Sequence, residues 1–371
     1  MDFDFSDEQT QLRDAVRKWV DKAYAFDEHR RIVAEGGFSA AVYQALAELG
    51  LTGLYVQDTY GGMDMGPVEG MVVMEELGRG MLLEPLTHAW ISSAMMQAFA
   101  PEDLKQHWLP SIASGEALVV LAHVERGLRY VGDTCRTTAE HTQDAWHVSG
   151  HKSLVPASDH AHAFIVPAMV KGQMALFVVP RGEATDTART YVAQDGSRMG
   201  EVLFQHAPAQ LLTLQGQAAL QLGVDVGMAA LCAEAVGLME KTLSVTVAYM
   251  NTRKQFGVPI ASFQALQHRV ADMKMSLELG RSMSYYATLK LNAAADERSL
   301  AISRAKWQIG RSTRHVGQEA VQLHGGIGVT DEYIISHCFK RLTQMEMTWG
   351  DSLHHLGKIS ANMQDTAGVF A

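Results

Sequence analysis

Apolar residues recur at helical spacing through the opening third of the chain. Leu12, Val16 and Val20 share one helical face, as do Val42, Leu46 and Leu49, so residues from about Ser6 to Gly115 read as helical. Gly50-Leu51-Thr52-Gly53 ends one of these helices and Tyr60-Gly61-Gly62 is a loop. A further helix begins near Pro67 and closes at Glu75-Glu76-Leu77-Gly78, and Pro101 can start another, because proline is tolerated in a first turn. From about Ala117 to Leu212 the helical period disappears. Short apolar or β-branched runs replace it: Leu118–Leu121, Trp146–Val148, Phe164–Val166, Leu176–Val179 and Val202–Phe204. Gly150, Pro167, Gly172 and Pro180-Arg181-Gly182 punctuate them, which is the pattern of an antiparallel sheet or a small barrel.

After Leu212 the helices return. One spans about Gly227 to Asn251, and in the next Phe263, Leu266, Val270, Met273 and Leu277 form an apolar stripe suited to a bundle. A third runs from about Glu297 to His324 and stops at Gly325-Gly326, where glycine suits a left-handed cap. A last helix covers Lys340 to about Lys358. The pattern therefore predicts an α+β multidomain chain: helical over 1–116, β over 117–215 and helical again over 216–371.

Composition narrows what such a chain does. With 47% hydrophobic and 19% charged residues it is globular, and 371 residues are enough to bury a large core. A net charge of −10 argues against a nucleic-acid partner, which calls for a basic face. No uninterrupted apolar run reaches a membrane span, and Met1-Asp2-Phe3-Asp4-Phe5 lacks the positive start of a signal peptide, so a cytoplasmic location is expected. Cys135, Cys232 and Cys338 are odd in number and far apart, which fits free thiols in a reducing compartment. The 16 histidines do not make a carboxylate-bridged metal bundle, because no Glu-x-x-His pair occurs and no metal site is expected.

The candidate chemistry centres on Arg253-Lys254-Gln255-Phe256-Gly257-Val258-Pro259-Ile260-Ala261-Ser262-Phe263-Gln264. This stretch is too polar and too broken to be core. Gly257 and Pro259 stop the helix before it and Ser262 can cap the helix after it. An Arg, an aromatic and an amide are thus held between two rigid elements, a junction suited to a phosphate-bearing cofactor because guanidinium binds phosphate as a fork. Taken alone, an Arg near a helix end is more often a surface cap.

Several motifs fall in a familiar order. They are Gly50-Leu51 through Tyr60-Gly61-Gly62, Glu75-Glu76-Leu77-Gly78, Gly150-His151-Lys152, Arg253-Lys254-Gln255-Phe256-Gly257, Phe263-Gln264, Ala271-Asp272-Met273 and Gln322-Leu323-His324-Gly325-Gly326-Ile327-Gly328. Together they resemble the acyl-CoA dehydrogenase family over essentially the whole chain. The resemblance implies an N-terminal α-helical domain, a middle antiparallel β domain, a C-terminal four-helix bundle, and FAD as cofactor. Carried over residue by residue, Arg253 would meet the FAD pyrophosphate across a subunit interface. Phe256 and Gln264 would pack around the adenosine side, and Gln322 with the backbone of Gly325 and Gly326 would hold the dinucleotide. The partners it implies are an acyl-CoA thioester and an electron-transfer flavoprotein or similar acceptor.

The sequence also departs from that family. α,β-Desaturation of a thioester needs a positioned base, usually Glu. At the two places where the family carries it, this chain has Trp349, followed by Gly350-Asp351, and Gly227. The family's Thr-Glu-Pro loop reads Val124-Glu125-Arg126, and its flavin-side hydroxyl is replaced in Leu154-Val155-Pro156, where proline has no donor. Glu346, one turn before Trp349, and Asp351 remain as candidate carboxylates, while His354 and His355 read as surface residues. Trp349-Gly350-Asp351 with His354-His355 resembles the branch built from paired unlike subunits, associated with steroid side chains and other bulky CoA esters. Two expectations follow. The chain is a base-less FAD-binding subunit of a heterotetramer with a homologous catalytic partner, or a self-sufficient dehydrogenase with a displaced carboxylate.

Overall fold

The structure, a computed structural model, describes residues 5–366 apart from 129, 131 and 133; the opening Met1–Asp4 lies outside the described residues. Among the described residues six α-helices come first: α1 (Asp7–Ala23), α2 (Phe26–Ala34), α3 (Ala40–Glu48), α4 (Pro67–Gly80), α5 (Leu86–Phe99) and α6 (Glu102–Ala113). Their starts follow the local chemistry. Ser6 and Gln9 form a reciprocal capping box on α1, Pro67 is the first residue of α4, and Pro101 is the N-cap of α6.

Among the described residues seven strands follow: β1 (Val119–Leu121), β2 (Thr138–Thr142), β3 (Ala145–Pro156), β4 (Ala163–Val170), β5 (Gln173–Pro180), β6 (Thr185–Val192) and β7 (Arg198–Thr213). Their pairing closes on itself, running β4-β2-β3-β7-β5 and back to β4, with β1 added beside β4 and β6 beside β7. Small-barrel closure is therefore the observed form. The sheet is mixed rather than wholly antiparallel, since β1 and β2 both run parallel to β4. Phe164, Phe177, Val148, Val202 and Phe204 fill its interior.

The remaining chain is α7 (Gly216–Thr252), a short hairpin of β8 (Lys254–Gln255) and β9 (Val258–Pro259), then α8 (Gln264–Lys290), α9 (Ala295–His324), α10 (Ile334–Met347) and α11 (Ser352–Thr366). Helix α9 packs against α8, α10 and α11. The single last helix expected from Lys340 onward is thus two helices, broken at Thr348–Asp351. The α8 stripe is also less buried than its period suggested. Met273 and Leu277 are fully buried, but Phe263 is 37% exposed at its start and Met275, Leu279 and Leu289 face solvent. Helix α7 contains an 18-residue window of mean hydropathy 1.6, apolar and long enough for a membrane span, and 94% of that window is buried. Its apolarity is that of a core helix.

The described chain divides into two compact units. One comprises the residues up to Arg30, Pro67–Leu82 and everything from Met228; the other comprises Arg31–Gly66 and Leu83–Gly227. In the first, α4 and α7 meet backbone to backbone. A Cβ at Gly78 would lie 2.1 Å from the Glu234 carbonyl, and one at Gly237 would lie 1.8 Å from that of Glu75, so only glycine permits the approach.

Candidate functional site

Two loops of the first unit carry four of the residues singled out by sequence, Arg253 and Phe256 in one and Trp349 and Asp351 in the other. The first is the hairpin after α7. Arg253 donates its amide to Tyr249 O (2.8 Å) and its carbonyl accepts from Ile260 N (2.9 Å), which pins the base of the loop. Lys254 and Gln255 pair with Pro259 and Val258. The turn between them is Phe256-Gly257, with φ of +54° and +82°, the two positive values that a tight primed hairpin requires. For Phe256 that conformation costs about 1–2 kcal/mol, and the residue is nevertheless 92% exposed, with the Phe263 ring edge-on at a centroid distance of 6.1 Å. A strained residue holding a large ring in water is a motive for function rather than packing. Arg253 is exposed, and no described carboxylate pairs with it. Ser262 does not cap α8 as expected; its hydroxyl turns back to Pro259 O (2.8 Å), and α8 begins after Phe263 without a side-chain cap.

Gln264, at the start of α8, and Gln322, in the last turn of α9, are both exposed. Gly325 ends α9 with φ +62° and ψ −139°, outside the left-handed helical cap that was expected and in a region open to glycine alone. Nothing lies within 4 Å of where a Cβ would stand on Gly325 or Gly326, so both backbones are open to close approach. Behind them His324 is buried, its Nδ1 2.8 Å from Ala320 O and its ring stacked on Tyr249. An unpaired guanidinium, exposed carboxamides and bare glycine backbone are each group types suited to the phosphates or polar edges of a dinucleotide. In the β domain, Leu154 is 52% exposed with φ +54°, and Pro156 has no hydrogen to donate.

The second loop, Thr348–Asp351, behaves in the opposite way. Trp349 and Gly350 have φ of +55° and +112°. Lys306 reaches them from the middle of α9, its Nζ donating to the carbonyls of Glu346 (2.8 Å) and Gly350 (2.9 Å), with no exposure to solvent. Burial pushes the Lys306 amine down to about 8, against the opposing pull of Cys232, Glu346 and Asp351. The amine thus sits between two carbonyl acceptors, holding three hydrogens below that value and two above it. His355 closes the other side, with Nε2 3.2 Å from Trp349 O. It was expected on the surface but is fully buried, and burial, followed by the nearby Lys306 and His354, pushes it down to about 3.

Both candidate carboxylates are occupied. The premise that Glu346 shares a helical face with Trp349 fails because α10 ends at Met347. Glu346 Oε1 instead accepts from Ser352 N (3.0 Å) and Ser352 Oγ (2.9 Å), tying the end of α10 to the start of α11. Asp351 Oδ1 accepts from His354 N (2.8 Å), an N-cap contact on α11. Gly227 lies buried within α7. Lys306 was missed in the sequence, although it sits four residues after Ile302 and three before Ile309, on the buried face of α9. A cation on an apolar helical face was its signal.

Elsewhere two carboxyls depart from the ordinary range. Burial raises Glu75 to about 7, although Arg281 lies 2.9 Å away and acts to lower it. Burial would also raise Glu125, but hydrogen bonds from Lys152 (2.7 Å) and Thr137 (2.6 Å) hold it down at about 2. Glu125 further accepts from the amides of Arg136 and Thr137 and is a structural anchor of the barrel. Among the described residues no group of three or more His, Cys, Asp or Glu is placed to hold a metal ion.

Residues 6–116 match the family model of the acyl-CoA dehydrogenase N-terminal domain, and residues 215–364 that of the acyl-CoA dehydrogenase C-terminal domain. A probable acyl-CoA dehydrogenase of Bacillus subtilis, YngJ, is 28% identical over 375 residues, covering 95% of this chain and 97% of its own. Among solved structures, the Tcur3481-Tcur3483 steroid ACAD superposes with a TM-score of 0.88 at 27% identity, covering 97% of this chain and 98% of that one. A protein described as an FAD-dependent dehydrogenase gives a TM-score of 0.88 at 25% identity, covering 98% and 100%.

Proposed function

Because the chain belongs to the acyl-CoA dehydrogenase family, we propose that it is the FAD-gripping, base-less subunit of a heteromeric enzyme that desaturates an acyl-CoA thioester. The observation that carries this reading is the Thr348–Asp351 loop. Where the family carries its carboxylate stands Trp349, and Lys306 and His355 bind the backbone on both sides of it. Glu346 and Asp351 are each committed to the start of α11. A catalytic base must reach the proton it removes, and a carboxylate already bonded to two groups of its own loop is poorly placed to do so.

The residues carried over for the cofactor are, by contrast, still present in the C-terminal unit and exposed. Arg253 would bind the diphosphate of FAD as a fork, Phe256 would cover its adenosine portion, and Gln264, Gln322, Gly325 and Gly326 would take its polar edges. When bound, FAD supplies the hydride acceptor. This chain's own part would be to grip and orient it, while a homologous partner provides the base. A bulky thioester of the steroid class is the substrate we favour, because the Tcur3481-Tcur3483 relative is described as a steroid ACAD. An electron-transfer flavoprotein would serve as acceptor and the cytoplasm as location.

The test is to purify the chain alone and together with the product of its neighbouring gene, and to record mass, flavin absorbance and bleaching by acyl-CoA. Colourless or inactive protein that becomes yellow and active only with the partner is the expected outcome. A yellow homo-oligomer that bleaches with an acyl-CoA by itself would overturn the reading and return Glu346 or another carboxylate to the base role.

A further inference from the structure

Helix α9 packs against α8, α10 and α11, and the strip it leaves uncovered has a composition of its own. Beyond the first turn its exposed positions are Arg304, Arg311, Arg314, Gln318 and Gln322, with Trp307 half-buried among them. Spacings of three, four and seven residues put all of these on one side of the helix. Arg311 lies over the Trp307 ring at 5.0 Å, and Arg304 Nη1 donates to the Tyr286 hydroxyl of α8 at 3.5 Å. No described carboxylate pairs with Arg304, Arg311 or Arg314. Glu297 and Glu319, the glutamates of α9, are engaged instead by Lys290 (2.5 Å) and Arg269 (2.7 Å) of α8.

This is unusual chemistry for a face that only meets water. The chain holds 41 Asp and Glu against 31 Lys and Arg, so a stripe of unpaired cations is not a by-product of composition. A solvated helix face accepts lysine readily, yet the one lysine of α9, Lys306, is buried. Arginine and tryptophan are instead the side chains enriched at interface hot spots, where lysine is depleted. Helix α11, which packs on α9, adds Leu353 and Leu356, exposed by 78% and 42%. The charge also selects the occupant. A twofold contact between identical copies centred on this stripe would set the same patch against itself and crowd the arginines of both together. An unlike subunit is free to present acid there.

We infer that the Arg304–Arg314 face of α9 is a docking surface for an acidic face of the homologous partner subunit, whose Asp or Glu side chains pair with Arg304, Arg311 and Arg314 around a contact with Trp307. The inference rests on the proposed heteromeric function and deepens it by naming the surface and the charge of the partner. The same exposed side of α9 continues to Gln322, so the partner would lie along the helix that also carries a cofactor residue.

Titration calorimetry and native mass of the full-length chain with the product of its neighbouring gene test the face. The parent chain forms one complex with that partner, and added salt weakens it. Arg304→Glu with Arg311→Glu and Arg314→Glu weakens the complex at least about hundredfold and leaves the melting temperature of the lone chain unchanged. Should that triple variant fail to fold, Arg311→Lys alone supplies an amine that carbodiimide joins to a neighbouring carboxylate, and peptide mass spectrometry finds the link on an Asp or Glu of the partner. A complex that survives the triple variant, the absence of any complex, the absence of a crosslink to the partner, or a link to a second copy of this chain overturns the face. If the triple variant dissolves a complex that never bleaches with an acyl-CoA, the face stands and the dehydrogenase reading falls. If the complex bleaches with an acyl-CoA and survives the triple variant, the reverse holds.

Discussion

The hairpin at Phe256 and the loop at Trp349 are both short connections between helices of one unit, and each holds an aromatic residue at positive φ. They use that conformation to opposite ends. In the hairpin the polar and aromatic side chains point outward and find almost no partner in the chain, so the strain is unexplained until a ligand or another subunit is considered. In the Trp349 loop the polar groups turn inward, and Lys306, His355, Glu346 and Asp351 together over-determine a four-residue path. A family member that had lost its base but kept its cofactor would show this division. Grip needs free groups at the surface, whereas a retired catalytic loop is free to be rebuilt for stability.

The contrast breaks most sharply at Gly350. A Cβ there would stand 2.6 Å from His354 Cδ2 and 2.8 Å from His355 Nε2 at φ +112°. Gly350→Ala is expected to cost roughly 4 kcal/mol in urea unfolding, and an unchanged midpoint would mean that the loop is not locked. The next effect is in pH. Lys306 releases its proton at about 8 in the folded chain against an ordinary 10.5. Between those values the unfolded chain holds more protons, so stability rises with pH across the window, by about 3 kcal/mol in all. Comparison with Lys306→Met isolates this contribution, since that variant lacks it. If the two pH profiles run parallel, the buried amine is not the group responsible.

On the hairpin the expectations reverse. Arg253→Ala should weaken FAD retention by about 2 kcal/mol, read from flavin occupancy after gel filtration, and leave urea unfolding within about 0.5 kcal/mol of the parent. A loss of stability without a loss of flavin would make Arg253 a structural residue. The smallest change is Glu346→Gln. It keeps one acceptor for Ser352, so it should cost about 1 kcal/mol of stability and leave turnover of the complete assembly within about twofold. A thousandfold loss of turnover would identify Glu346 as the base.

Much of this division could be read in the sequence, but unevenly. The Arg253 junction stood out because its glycines, proline and polar residues are local signals, and the ends of α9 and α4 were legible for the same reason. Strands β2 and β6 escaped notice because Thr138–Thr142 and Thr185–Val192 are largely polar or exposed and carry no apolar run. The break between α10 and α11 was invisible because its cause, Lys306, lies some forty residues earlier and acts through space. The burial of His355 was misread for the same reason. Ser262 misled in the other direction, offering a capping side chain that a nearer carbonyl claimed.

Helix α7 raises a matter of timing. Its most apolar stretch is covered in the finished chain, yet part of that cover is made later: Met239 of α7 packs toward Gly280 of α8. During synthesis α7 leaves the ribosome before α8 exists, and for that interval a segment as hydrophobic as a membrane span lacks the part of its cover that α8 supplies. Slowing translation through residues 216–290, or withdrawing chaperones in that window, should lower the yield of soluble chain more than the same treatment over the β domain.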